Sequence, residues 1–108
     1  MKPLLLSFVV IAALSAAPAR LRFTGVITDS MCAKGDHSQM RMGPTDADCV
    51  TACVEAHGAT YMLYDGKAAY TLSDQTTPEK FAGKKVIVTG SLDAKTNTIQ
   101  VDSITAAK

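Results

Sequence analysis

Asp65-Gly66 stands between two short alternating stretches, and this constrains the fold more than any other feature of the chain. Asp-Gly is the favoured two-residue hairpin turn, because that turn demands positive φ. Tyr61 and Leu63 alternate before it, and Ala68, Tyr70 and Leu72 after it. The period of two predicts a pair of strands within residues 59–73.

The same alternation recurs elsewhere. Arg22 to Asp29 places Phe23, Gly25 and Ile27 on one face, with Gly25 expected at a bulge or sharp bend. Lys84 to Asp93 places Val86, Val88, Gly90 and Leu92 on one face. Thr98 to Ile104 ends the pattern, with Ile99 and Val101 inward. Thr45 to His57 reads as a helix, capped by Thr45 with Asp48 three residues on and closed by Gly58. Thr76 to Ala82 reads as a shorter helix, capped by Thr76 or Thr77, with Pro78 in its first turn and Gly83 at its end. Residues 30–44 have no clean period and read as an ordered loop. The expectation is a mainly β domain: a five-stranded antiparallel OB-like barrel. It carries a loop-helix insertion between strands 1 and 2 and a short helix between strands 3 and 4. An open five-stranded sheet with its helices on one face is the rival arrangement.

The first nineteen residues stand apart. Met1-Lys2 begins with positive charge, Leu4 to Leu14 is apolar apart from Ser7, and Ala17-Pro18-Ala19 offers a small-x-small cleavage pattern. This is the order of a signal peptide, with cleavage before Arg20. The apolar run is shorter than the ~20 residues a spanning helix needs. Residues 20–108 are then one domain, secreted or periplasmic, with no stable membrane insertion after cleavage and expected to be a monomer. The chain has eleven Lys and Arg against ten Asp and Glu. Losing Lys2 balances the two signs, so no electrostatic funnel for a nucleic-acid backbone exists, and nucleic acid is excluded as a partner. Tyr61, Tyr64 and Tyr70 could stack on a sugar or small ligand, or simply pack across the sheet.

Four segments carry a resemblance: Asp29 to His37 (DSMCAKGDH), Asp48 to Val54 (DCVTACV), Gly58 to Gly66 (GATYMLYDG) and Phe81 to Asp93 (FAGKKVIVTGSLD). Together they resemble a family of short exported bacterial proteins filed as a domain of unknown function, over nearly all of residues 20–108. The resemblance implies that a Cys-x₄-His loop and a Cys-x₃-Cys helix belong to the family pattern. In this chain those are Cys32, His37, Cys49 and Cys53, with Met40 nearby and His57 outside the pattern. It implies no activity.

Read as residues, the segment from Met31 to His57 holds every Cys and His of the chain, and Met31, Met40 and Met42 besides. Thiolate, imidazole and thioether are ligands of zinc and copper. Cys49 and Cys53 are four apart and so leave one helix face together. Cys32, His37, Cys49 and Cys53 suit a tetrahedral Zn(II) site, and Met40 and Met42 tilt the set toward Cu(I). Two other readings stay open. An oxidising compartment favours a disulfide from Cys32 to Cys49 or Cys53, leaving one spare thiol, and hence a metal-free ligand-binding or interaction module. A thiol redox protein is the third. His57 taken alone reads as a helix-end cation. There is no Gly-rich phosphate loop, no His-Glu-x-x-His and no Cys-x-x-Cys-His. Nothing marks an oxyanion stabiliser or substrate pocket, so the domain is expected to be non-enzymatic.

Overall fold

The computed structural model describes residues 19–36 and 43–108. Most of the proposed signal peptide lies outside the described residues, as do His37, Met40 and Met42. The elements run β1 (Leu21–Asp29), α1 (Asp46–His57), β2 (Tyr61–Tyr64), β3 (Ala69–Leu72), a 3₁₀ turn (Thr77–Phe81), β4 (Lys85–Asp93) and β5 (Thr98–Ala106).

The five strands close into a ring in the order β1-β2-β3-β5-β4. β1 serves two neighbours. Residues 21–26 pair with β4, and residues 26–29 pair with β2. Gly25 sits where the strand passes from one partner to the other. A Cβ there would run into the backbone carbonyl of Tyr64, so a side chain is excluded by close approach. The irregularity in the ladder lies elsewhere. The β4–β5 register shifts between Thr89 and Gly90, where Thr89 pairs with Ser103 but Gly90 pairs with Val101. Asp102 is the extra residue. The slip explains why Ile99 and Ile104, an odd number of positions apart, are both buried.

The expectation of a wholly antiparallel sheet is corrected. β3 and β5 run parallel, through Thr71↔Thr98 and Leu72↔Ile99, and the sheet is mixed. The reason is parity. Strand directions cannot alternate all the way around a closed ring of five, so one seam must be parallel.

The hairpin between β2 and β3 is also one residue away from the predicted turn. Tyr64 pairs with Ala69, and the Asp65 N–H donates to the Ala68 carbonyl at 3.1 Å. Gly66 and Lys67 therefore form the tip, with Gly66 at φ +98°. Asp65 caps it instead: its Oδ1 accepts from the N–H groups of Lys67 and Ala68, both at 2.8 Å. Those two bonds, that of Ala68 first, lower the Asp65 pKa.

The helix matches its sequence signals. The Thr45 side chain accepts from the Asp48 N–H at 3.1 Å and its hydroxyl donates to Asp48 Oδ2 at 2.8 Å. Gly58, at φ +66°, ends α1 in the left-handed conformation. The second short helix is a 3₁₀ turn, and Thr76 makes no side-chain cap. Asp74 takes that role, its Oδ1 accepting from the N–H groups of Thr76 and Thr77 at 2.9 and 3.0 Å.

The core gathers Ile27, Tyr61, Leu63, Leu72, Val86, Val88, Ile99 and Ile104 inside the ring, with Ala82 and Val50 of α1 packed on it. Val54, one helical turn beyond Val50, packs against the same cluster. α1 thereby lies against the ring with a valine stripe. Its neighbouring stripe, Cys49 and Cys53, is buried beside it.

Candidate functional site

Three buried thiols and one buried carboxyl occupy the junction of β1 with α1. Phe23, Gly25, Ile27 and Asp29 share one side of β1 by alternation. The last of these, Asp29, is fully buried. Asp29 Oδ1 accepts from the Met31 N–H at 2.9 Å and the Cys32 N–H at 3.1 Å, an aspartate-led turn that reverses the chain. Thr28 donates its hydroxyl to the Cys32 carbonyl at 2.6 Å, and the Gly35 N–H donates to the same oxygen at 2.8 Å. Cys32 is therefore held from both sides and is buried. Ser30 ties the turn to the chain beyond α1, through its N–H to the Thr60 carbonyl at 2.9 Å and its Oγ to the Thr60 N–H at 3.0 Å.

From the other wall come Cys49 and Cys53, both with no solvent exposure and joined by a side-chain hydrogen bond. The buried groups influence one another's charge. Burial raises the Cys53 thiol most, followed by the charge of Asp29 and then those of Cys49 and Cys32, and the pKa reaches about 11. Burial likewise raises Cys32, helped by Asp29, Cys49 and Asp36. A site of this kind resists forming thiolates by itself. A cation placed among these groups reverses the balance, since it favours the charged thiols that their neighbours disfavour.

Asp29 Oδ2 is buried and has no hydrogen-bond partner in the structure. An unsatisfied buried acceptor costs roughly 1–3 kcal/mol, more when charged. Among the described residues no Lys or Arg forms an ion pair with Asp29; the pair present joins Arg20 to Asp102 at 3.2 Å on the surface.

The structure thus places part of the predicted site. Cys32, Cys49 and Cys53 are all buried, whereas His37 and Met40 lie outside the described residues. His57 is exposed at the end of α1. No disulfide joins Cys32, Cys49 and Cys53. Among the described residues, no three His, Cys, Asp or Glu side chains already stand in a metal-holding arrangement. Sequence reasoning missed Asp29. The signal was available: it continues the inward alternation of β1 past Ile27. Tyr61, offered as a stacking group, belongs to the core, and Tyr70 packs against Phe23 with ring centroids 5.5 Å apart. No helix among the described residues is long and apolar enough to cross a membrane.

No match was found among curated proteins or among solved structures. One family matches residues 53–107, just over half of the chain. The match takes in Cys53 and strands β2 to β5, and leaves out Cys32, His37, Met40 and Cys49, so the Cys-x₄-His pattern expected of the family falls outside the matched part. The chain belongs to the family described as Protein of unknown function (DUF5818).

Proposed function

We propose that this protein is a secreted or periplasmic OB-like domain that holds one soft metal ion, Cu(I) or Zn(II), on Cys32, Cys49 and Cys53. The observation that carries this reading is that Cys32, Cys49 and Cys53 are all buried, with Cys53 feeling the charges of the other two. His37 and Met40, on the loop between Cys32 and Cys49, belong to it as further donors. Loading the site releases the thiol protons and draws the side chains into coordination, so binding strengthens as pH rises.

The OB-like assignment is supported by the five-stranded ring, the α1 insertion between β1 and β2, and the 3₁₀ turn between β3 and β4. Export is supported by the charged, apolar, small-residue order of residues 1–19. The raised thiols of Cys32 and Cys53 argue against a thiol redox protein, because a reactive cysteine needs a lowered pKa.

The test is anaerobic titration of the reduced protein with Cu(I) and with Zn(II), read by native mass spectrometry. One bound ion per chain is expected. A flat response to both ions ends the metal reading. An intact mass two hydrogen atoms short in the protein as exported, with no metal, gives the disulfide-stapled module instead.

A further inference from the structure

We infer that the outer edge of β1, from Leu21 to Gly25, docks an extended acidic peptide segment, which adds to the sheet as a strand beside Arg22 and Thr24. The inference is independent of the metal reading. It starts from how β1 closes the ring. Successive residues of a strand send their backbone groups to opposite sides. The Ile27 N–H goes to the Lys84 carbonyl, on the β4 side, and the Ser30 N–H goes to the Thr60 carbonyl, on the β2 side. By that alternation Leu21, Phe23 and Gly25 address β4, whereas Arg22, Thr24 and Val26 address the β2 side. β4 accompanies β1 from Leu21 to Val26, but β2 accompanies it only from Val26, opposite Tyr64. Past Tyr64 the chain turns through Gly66 toward β3. Among the described residues, no strand therefore stands on the β2 side of Arg22 and Thr24.

Sheets often blunt such edges with bulges, prolines or inward charges. This edge has none of these. The β1–β4 register runs unbroken from Leu21 to Val26, and the inward positions are Leu21, Phe23 and Gly25. Leu21, at its start, is 47% exposed. At its other end an open cleft of about 530 Å³ lies where β2 would have continued, lined by Thr24, Gly25, Tyr64, Gly66 and Lys85. At ~3.3 Å per residue the edge accepts a segment of about five residues. Charge then selects the partner. Arg22 and Lys85 are exposed on the outer face of the β1–β4 pair, and Lys67 is exposed at the adjoining hairpin tip. None of the three forms an ion pair among the described residues. Asp65, also at the cleft, has its Oδ1 engaged by the Lys67 and Ala68 N–H groups of its own turn. Acidic side chains on an added strand lie against these cations. A second copy of the chain brings the same cations against themselves, and like charges placed opposite each other destabilise strand pairing.

The experiment is fluorescence anisotropy of a labelled Glu-Val-Glu-Val-Glu peptide titrated with the purified protein. A Lys-Val-Lys-Val-Lys peptide and the acidic peptide methylated on its backbone nitrogens are the comparisons. The acidic peptide should bind saturably, and the basic one at least about tenfold more weakly. The methylated peptide keeps its charge but loses its backbone donors, and its affinity should also fall by about tenfold or more. Thr24→Pro removes an N–H that faces away from β4, a place where an edge strand tolerates proline, and should weaken binding as strongly. Arg22→Glu should weaken the acidic peptide and strengthen the basic one. Hydrogen exchange on wild type reads the docking place independently should either variant fail to fold: the Arg22 and Thr24 amides should slow when the acidic peptide is added. No saturable binding of the acidic peptide overturns the inference. So does equal binding of the methylated peptide, which reduces the contact to charge alone, or protection that appears elsewhere in the chain. A dimer of wild type that Thr24→Pro dissociates gives the edge to a second copy and overturns it as well.

Discussion

Asp29 at the end of β1 and Cys53 in α1 are both fully buried, and the carboxyl of the first is, after burial itself, the strongest influence holding the thiol of the second at a pKa of about 11. In the unfolded chain a cysteine titrates near 8.5, at about the ordinary value. The folded value is raised, so the folded state binds this proton more tightly. The contribution to stability is full below about pH 8.5 and is lost as pH rises toward about 11. Denaturant midpoints of the reduced, metal-free protein should fall across this window. Cys53→Ala should flatten the fall, measured relative to its own midpoint at pH 7. An equally steep decline in the variant would place the titrating group elsewhere.

Removing one thiol separates the metal and disulfide readings. Cys53→Ser should abolish binding of a stoichiometric ion and the accompanying rise in thermal midpoint, since an ion that binds only the folded state stabilises it by mass action. If a disulfide staples the exported protein instead, one of Cys49→Ser and Cys53→Ser should destabilise the oxidised form by about 2–4 kcal/mol, with no response to metal. His37→Ala should weaken ion binding and leave the apo fold nearly intact, and His57→Ala should do much less.

Gly66 tests the hairpin. A Cβ there meets no atom within 4 Å, so its φ of +98° is the whole objection to a side chain. Gly66→Val should cost roughly 1 kcal/mol or more in urea unfolding. Gly66→Asn, a residue that tolerates positive φ better, should cost less.

The valine stripe of α1 tests how the site is carried. Val50 is fully buried on the core. Val50→Ala should destabilise by about 2 kcal/mol, from lost burial and a residual cavity. Thr45→Ala, which removes the helix cap, should cost about 1 kcal/mol. Both should weaken ion binding only in proportion to the fraction unfolded. A larger loss at full folding would show that the helix position tunes the site directly.

Export makes its own prediction. Protein recovered from the periplasm or medium should begin within about two residues of Arg20 by N-terminal sequencing. Recovery of full-length chain from the cytosol alone would end that reading.

What was legible in the sequence was local. The Thr45 cap, the Gly58 stop and the alternation of β1, β2 and β4 depend on residues a few positions apart, and the structure bears them out. The misses came where a side chain competes with the backbone or where distant strands meet. Asp65 was read as a turn residue and instead caps a turn one position on, because its carboxylate finds two N–H groups there. Asp74 displaced Thr76 as a cap by the same means. The β5 register could not be read from its period alone, since the Asp102 slip changes which residues face inward. Asp29 was passed over because an acidic residue at a strand end looks like the start of a loop, and its burial depends on α1 arriving from later in the chain.

The parallel seam between β3 and β5 is held by only two register pairs, against eight between β4 and β5. Side chains reinforce it: Asn97 Nδ2 donates to the Ala69 carbonyl at 2.8 Å, and the Val101 N–H donates to Ser73 Oγ at 2.8 Å. Should the ring open, it opens here, and opening leaves β3 and β5 as free edges with unpaired backbone groups. Each edge is then a template for the same strand of another molecule, so strand exchange between copies becomes the characteristic failure of this fold. Asn97→Ala and Ser73→Ala, by loosening the stitching, should raise the fraction of exchanged dimer after refolding at high concentration, long before they unfold the monomer.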